Sequence, residues 1–117
     1  MFPPAHSVKV YIATGITDMR KSINGLSILV ADQLELDPLS GHLFAFCNRK
    51  RDIIKILYWD RNGFCLWMKR LESQTYRWPD ENAASVSISN RELSWLLDGL
   101  DIRQKRAHRS LHYSIVS

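Results

Sequence analysis

Asn62-Gly63 lies between two runs rich in apolar, β-branched and aromatic residues, Ile53 to Trp59 and Phe64 to Leu71. This dipeptide is the strongest short-range hairpin signal, because a type I′ turn needs positive φ at both central residues. Two antiparallel strands are therefore expected in the middle of the chain. With Asn62-Gly63 as the two-residue loop, Arg61 faces Phe64, Trp59 faces Leu66, Leu57 faces Met68 and Lys55 faces Arg70. Charge and aromatics then share one sheet.

The hairpin anchors a reading of the rest. Val8 to Thr14 alternates apolar and polar positions with the period of a half-buried strand, and Gly15 ends it. Thr17 or Asp18 can cap a following helix with Met19, Ile23, Leu26, Val30 and Leu34 on its apolar face, although Gly25 weakens the middle. Asp37-Pro38 and Ser40-Gly41 stop it. Leu43 to Cys47, Ile53 to Trp59, Phe64 to Leu71 and Thr75 to Trp78 read as consecutive strands of an antiparallel meander. The nearly all-apolar run from Ile53 to Trp59 suits the central strand, covered on both faces. Ser85 to Ile88 adds a short strand, and Ser89-Asn90-Arg91-Glu92 is a capping box that opens a helix through Leu93, Leu96, Leu97 and Leu100, with Gly99 ending it or loosening its last turn. The expectation is an α+β fold: an N-terminal strand and helix, an antiparallel β-meander, a C-terminal helix and a basic tail. Residues 1–102 would form one domain and 103–117 the tail.

At 117 residues the chain can bury a core without disulfides or metal. Its net charge is +4, and 11 of its 16 Lys and Arg fall in two clusters. Arg49, Lys50, Arg51, Lys55, Arg61, Lys69 and Arg70 belong to the hairpin region, and Arg103, Lys105, Arg106 and Arg109 to the C-terminus. Cations at a hairpin tip can reach successive phosphates of a nucleic-acid backbone, although a solvated turn has the same composition. Tyr58, Trp59 and Trp67 can stack on bases, or serve as core and interface residues. Cys47 and Cys65 match neither a disulfide framework nor a CxxC half-site. With no signal peptide or membrane-spanning run, the reading is a cytoplasmic protein with reduced thiols.

Catalytic and metal chemistry find little support. Asp18, Asp52 and Asp60 invite comparison with metal-dependent nucleases, yet they also read as a helix cap, a partner for neighbouring arginines and a turn residue. His108 and His112 share helical spacing, and would need Cys47 or Cys65 from afar to complete a zinc site. The Gly15 turn before Arg20 and Lys21 can hold a phosphate but lacks the second glycine of a Walker loop. No cofactor, metal or membrane partner is expected.

A resemblance sharpens the reading. Ala13-Thr14-Gly15-Ile16-Thr17-Asp18-Met19-Arg20-Lys21, Asn24-Gly25-Leu26, Ser40-Gly41-His42-Leu43-Phe44-Ala45-Phe46, Asn48-Arg49-Lys50-Arg51-Asp52, Tyr58-Trp59-Asp60, Leu66-Trp67, Lys69-Arg70-Leu71-Glu72 and Trp78-Pro79 occur in that order. Together they resemble the TnpB accessory proteins of IS66-type bacterial insertion sequences, products of the second open reading frame. Ser22-Ile23-Asn24 and Arg61-Asn62 depart from the family's usual residues, and Ala107 to Ser117 matches nothing.

The resemblance implies a role in mobilising the element beside a separate, larger transposase, and no established catalytic residue. It does not extend to the RNA-guided nuclease of the same name. A DDE transposase needs three acidic ligands on a ribonuclease-H-like scaffold, more than a chain of this size is expected to hold. The expected function is a non-catalytic transposition accessory that binds DNA, either transposon ends or unspecific duplex, through Arg49, Lys50, Arg51, Lys55, Arg61, Lys69 and Arg70. The alternative is a protein-interaction module that docks on the cognate transposase or on a second copy of itself without touching DNA.

Overall fold

The computed structural model describes residues 7–102. Five strands form one sheet: β1 (Val10–Ala13), β2 (Leu43–Cys47), β3 (Ile53–Asp60), β4 (Gly63–Arg70) and β5 (Ser85–Ile88), in the order β4-β3-β2-β1-β5. Helix α1 (Ile23–Asp32) connects β1 to β2, which run parallel, and every other pairing is antiparallel. Helix α2 (Asn90–Leu97) follows β5. The α+β architecture is as expected, with β2-β3-β4 as the meander.

The helices cover opposite faces. Leu26, Leu29 and Val30 of α1 pack with Phe44, Phe46 and Leu57 on one face. Leu93, Leu96 and Leu97 of α2 pack with Val10, Ile12, Ala45, Ile54 and Ile56 on the other. Strand alternation sorts neighbouring residues onto the two cores.

The central strand is β2 rather than β3, and all five of its residues are buried. Pairing of β1 alongside β2 moves the centre of the sheet by one strand. No ladder forms at Thr75 to Trp78. There the chain returns from one edge of the sheet to the other, with Tyr76 and Trp78 buried against the α2-side core and Thr75 and Arg77 exposed. This alternation imitates a strand, but the segment is tied down singly: Tyr76 N–H donates to Arg51 C=O at 2.7 Å and the Trp78 indole to Ala13 C=O at 2.8 Å.

Helix α1 starts later than a Thr17 or Asp18 cap would place it. Its N-cap is Ser22, which makes no side-chain capping bond. Asp18 instead accepts from Arg20 N–H at 2.9 Å, and Lys55 Nζ takes the carbonyls of Met19 and Lys21. These bonds hold residues 18–21 as a loop. By contrast, α2 begins with the full Ser89/Glu92 capping box. It ends at Leu97 in a Schellman motif, Gly99 N–H to Leu96 C=O and Leu100 N–H to Trp95 C=O, with Gly99 at φ +83°, so Leu100 lies exposed beyond the helix rather than on its apolar face.

The β3–β4 loop is Arg61-Asn62, not Asn62-Gly63. Asp60 pairs with Gly63, so Trp59 faces Phe64, Leu57 faces Leu66 and Lys55 faces Met68. Arg61 carries the positive φ, +52°. The shift avoids setting Lys55 directly opposite Arg70, a like-charge pair that is unfavourable across strands. It also brings the Trp59 and Phe64 rings edge to face at 5.1 Å.

Candidate nucleic-acid interface

At one end of the sheet the β2–β3 turn, the β1–α1 loop and the end of β4 surround an open cleft of about 730 Å³. Arg49, Lys50 and Arg70 line it together with Asp18, Asn48 and Asp52. Asn48 builds the turn. Its Oδ1 accepts the N–H groups of Asp52 and Ile53 at 3.1 and 3.0 Å, and its Nδ2 donates to Asp52 Oδ1 at 2.7 Å. Arg51 closes the turn at φ +60° with its N–H on Asn48 C=O. Arg49 and Lys50 are thereby left exposed on a fixed backbone.

Arg51 turns inward instead. Its guanidinium interacts with the buried Cys47 thiol, and its Nη1 is buried without a hydrogen-bond partner. Burial pushes the Cys47 thiol up, an effect that Arg51 partly offsets. Arg70 reaches the cleft while bonded to Glu72 at 3.0 Å.

The other sequence-predicted cations lie elsewhere. Lys55 Nζ donates to Met19 C=O at 2.8 Å and Lys21 C=O at 2.9 Å, holding the β1–α1 loop to the sheet. Lys69 Nζ donates to Leu97 C=O at 3.1 Å, at the negative end of α2 where a cation is favoured. Arg61, 91% exposed, stands at the opposite end of the hairpin. Along β3 that separation is about 23 Å, from seven strand steps. The seven cations therefore divide into an open group of Arg49, Lys50 and Arg70, a remote Arg61, and three engaged with the interior.

The loop carrying Asp18 is a border of the cleft that charge clustering alone does not reveal. The sequence signal for it is the Gly15 turn at the end of β1, ahead of Arg20 and Lys21. The Arg20 guanidinium forks onto Asp18 at 2.7 to 3.1 Å and holds its carboxyl down at about 2. Among the described residues no group of three or more His, Cys, Asp or Glu is placed to hold a metal ion. His108 and His112, and the basic cluster from Arg103 to Arg109, lie outside the described residues.

Tyr58 and Trp67 sit half-buried at the margin of the α2-side core, and Trp59 packs on Phe64. None of the three is an open stacking platform. No described helix is long and apolar enough to cross a membrane.

Residues 8–107 match the family model described as IS66 Orf2 like protein. The chain belongs to this family. It is an insertion-sequence accessory protein. Among its relatives are two proteins of Sinorhizobium fredii described only as uncharacterised. One, y4hO, is 41% identical over 103 residues, covering 88% of this chain and 90% of its own length. The other, y4jC, is 35% identical over 101 residues, covering 86% of each. No solved structure gives a significant match. The match also spans the chain from β1 through α2, so the cleft lies wholly within the family's shared region.

Proposed function

We propose that this insertion-sequence accessory protein serves transposition by holding DNA, without catalysing a reaction, beside a separate transposase. The observation that carries the reading is the cleft: Arg49 and Lys50 project from a turn locked by Asn48, and Arg70 faces the same space. A fixed backbone spares the cost of ordering the turn when its cations meet phosphates, and phosphate contacts provide affinity and positioning rather than sequence readout. Asp18 and Asp52 in the same cleft are engaged by Arg20 and Asn48, which suits a binding surface better than a metal-dependent nuclease.

The test is binding of labelled transposon-end and unrelated duplexes over a range of salt. Binding should weaken with salt, and replacing Arg49 and Lys50 by Ala should reduce the slope of log K against log salt by about 1.8, two contacts at about 0.9 each. An unchanged affinity and slope in that folded variant refutes the reading.

A second reading, docking on the transposase or another copy without DNA, is favoured by Met68, 59% exposed on β4. Co-purification with the transposase that survives Arg49→Ala/Lys50→Ala, combined with no DNA binding at low salt, would make it the leading one.

A further inference from the structure

Strand β4 is an edge of the sheet, eight residues long, paired in an unbroken ladder with β3 on one side only. Leu71 N–H donates to Asp52 C=O directly opposite, which fixes the alternation of the ladder: Gly63, Cys65, Trp67 and Lys69 bond to β3. The N–H and C=O groups of Phe64, Leu66, Met68 and Arg70 consequently point outward, and no other described segment takes them up. Natural edges are usually blunted by proline, bulges or outward charge. Here β4 has no proline, its ladder has no bulge, Lys69 is held on the end of α2, and the one remaining cation, Arg70, stands at the last position of the strand.

We infer that β4 pairs antiparallel with β4 of a second copy, about a two-fold axis at Trp67, to form a continuous ten-stranded sheet. The register follows from the outward groups. Only this axis sets Phe64 opposite Arg70 of the second copy and Leu66 opposite its Met68, so that all four outward N–H and all four outward C=O groups of each strand are satisfied. The side chains agree with it. Leu66 and Met68 form apolar cross-strand pairs that cover the exposed Met68, Phe64 offers its ring to a guanidinium, and Trp67 meets its own symmetry mate.

This pairing has a consequence for the basic surface, resting on the DNA-binding reading above. Within one chain Arg61 is at the far end of the hairpin from Arg49, Lys50 and Arg70. Antiparallel pairing brings Arg61 of the second copy to the Arg70 end of the first, beside Glu72. Each end of the dimer then presents Arg49, Lys50 and Arg70 from one copy and Arg61 from the other.

The experiment reads mass rather than DNA binding, so its failure is separate from failure of the DNA reading. Sedimentation velocity of the full chain between about 1 and 100 µM should show a dimer, and Met68→Pro, which removes one outward N–H from an edge where proline is tolerated, should weaken it at least tenfold. Met68→Lys, at an exposed position, gives the same readout if the proline variant fails to fold. Paired Trp67 residues form a non-hydrogen-bonded pair with Cα atoms about 4.5 Å apart, within disulfide reach. In a Cys65→Ser background, Trp67→Cys should cross-link on mild oxidation and Met68→Cys should not. A monomer at 100 µM, a dimer indifferent to both Met68 variants, or preferential cross-linking through Met68→Cys overturns the inference.

Discussion

Replacing Lys55 with Met removes an ammonium while keeping an unbranched stem of similar length, so the perturbation falls on two hydrogen bonds rather than on packing. Nζ donates to Met19 C=O at 2.8 Å in a partly buried position and to Lys21 C=O at 2.9 Å in an exposed one. A hydrogen bond to a charged group is worth about 1.5–3 kcal/mol where its partner would be left unsatisfied, and much less where water replaces the donor. The partly buried bond thus dominates, and the expected loss is about 2 kcal/mol. For a domain of this size that is on the order of 10 °C in Tm. Urea unfolding followed by tryptophan fluorescence measures the loss, and DNA titration over a range of salt measures the charge contribution. Lys55→Met should destabilise and leave the salt slope unchanged, whereas Arg49→Ala/Lys50→Ala should do the reverse. A folded Lys55→Met protein that loses less than about 0.5 kcal/mol yet binds DNA with a shallower slope would show that the ammonium faces phosphate rather than the loop carbonyls.

Arg61 holds φ +52° without the freedom of glycine, so Arg61→Gly should stabilise by about 0.5 kcal/mol after the greater entropy of the unfolded chain is subtracted; a lower urea midpoint would contradict this. Asp18 is held at about 2 against an ordinary 3.8 by its bonds to Arg20, so the interaction favours the folded state above the ordinary value and fades as pH falls through 3.8 towards 2. A carboxyl-detected NMR titration should place its midpoint near pH 2, and Arg20→Ala should return it to the ordinary carboxylate range. Cys47 is buried with its thiol pushed up, whereas Cys65 is partly exposed on β4. A thiol reagent at neutral pH should therefore modify Cys65 in the native protein and Cys47 only on unfolding, and equal rates would mean that the Cys47 environment opens.

Local signals were legible where they closed on themselves within a few residues. The Ser89/Glu92 box and the Gly99 terminus of α2 require only neighbouring groups, and both form. The hairpin was legible, but its register required weighing turn preference against cross-strand pairs. Lys55 opposite Arg70 was the warning, since the Asn62-Gly63 loop accepts a repulsion that the Arg61-Asn62 loop removes. The late start of α1 depends on Lys55 reaching carbonyls 34 and 36 residues away, which no local pattern announces. The parallel docking of β1 beside β2 is equally non-local, and it alone makes β2 the buried centre. For the candidate site, the composition of the basic cluster could be read but the direction of each side chain could not. Arg51, Lys55 and Lys69 have the same sequence appearance as Arg49 and Lys50, and only tertiary acceptors and burial set them apart.

That distinction makes salt dependence a test of geometry as well as of charge. If all seven hairpin-region cations met phosphates, their removal one at a time would each lower the salt slope by about 0.9. The observed placement requires an unequal response. Arg49→Ala, Lys50→Ala and Arg70→Ala should each lower the slope by about 0.9, while Lys55→Met and Lys69→Met should affect stability instead. Differences between variants cancel any constant contribution from the basic residues after Arg103. Arg61 is the deciding position, because in a monomer it stands about 23 Å along the hairpin from the cleft. A drop of about 0.9 for Arg61→Ala, abolished when Met68→Lys makes the protein monomeric, would mean that one DNA surface is assembled from two chains. A drop that persists in the monomer would instead require the duplex to span both ends of a single sheet, and the shared-cleft geometry would be wrong.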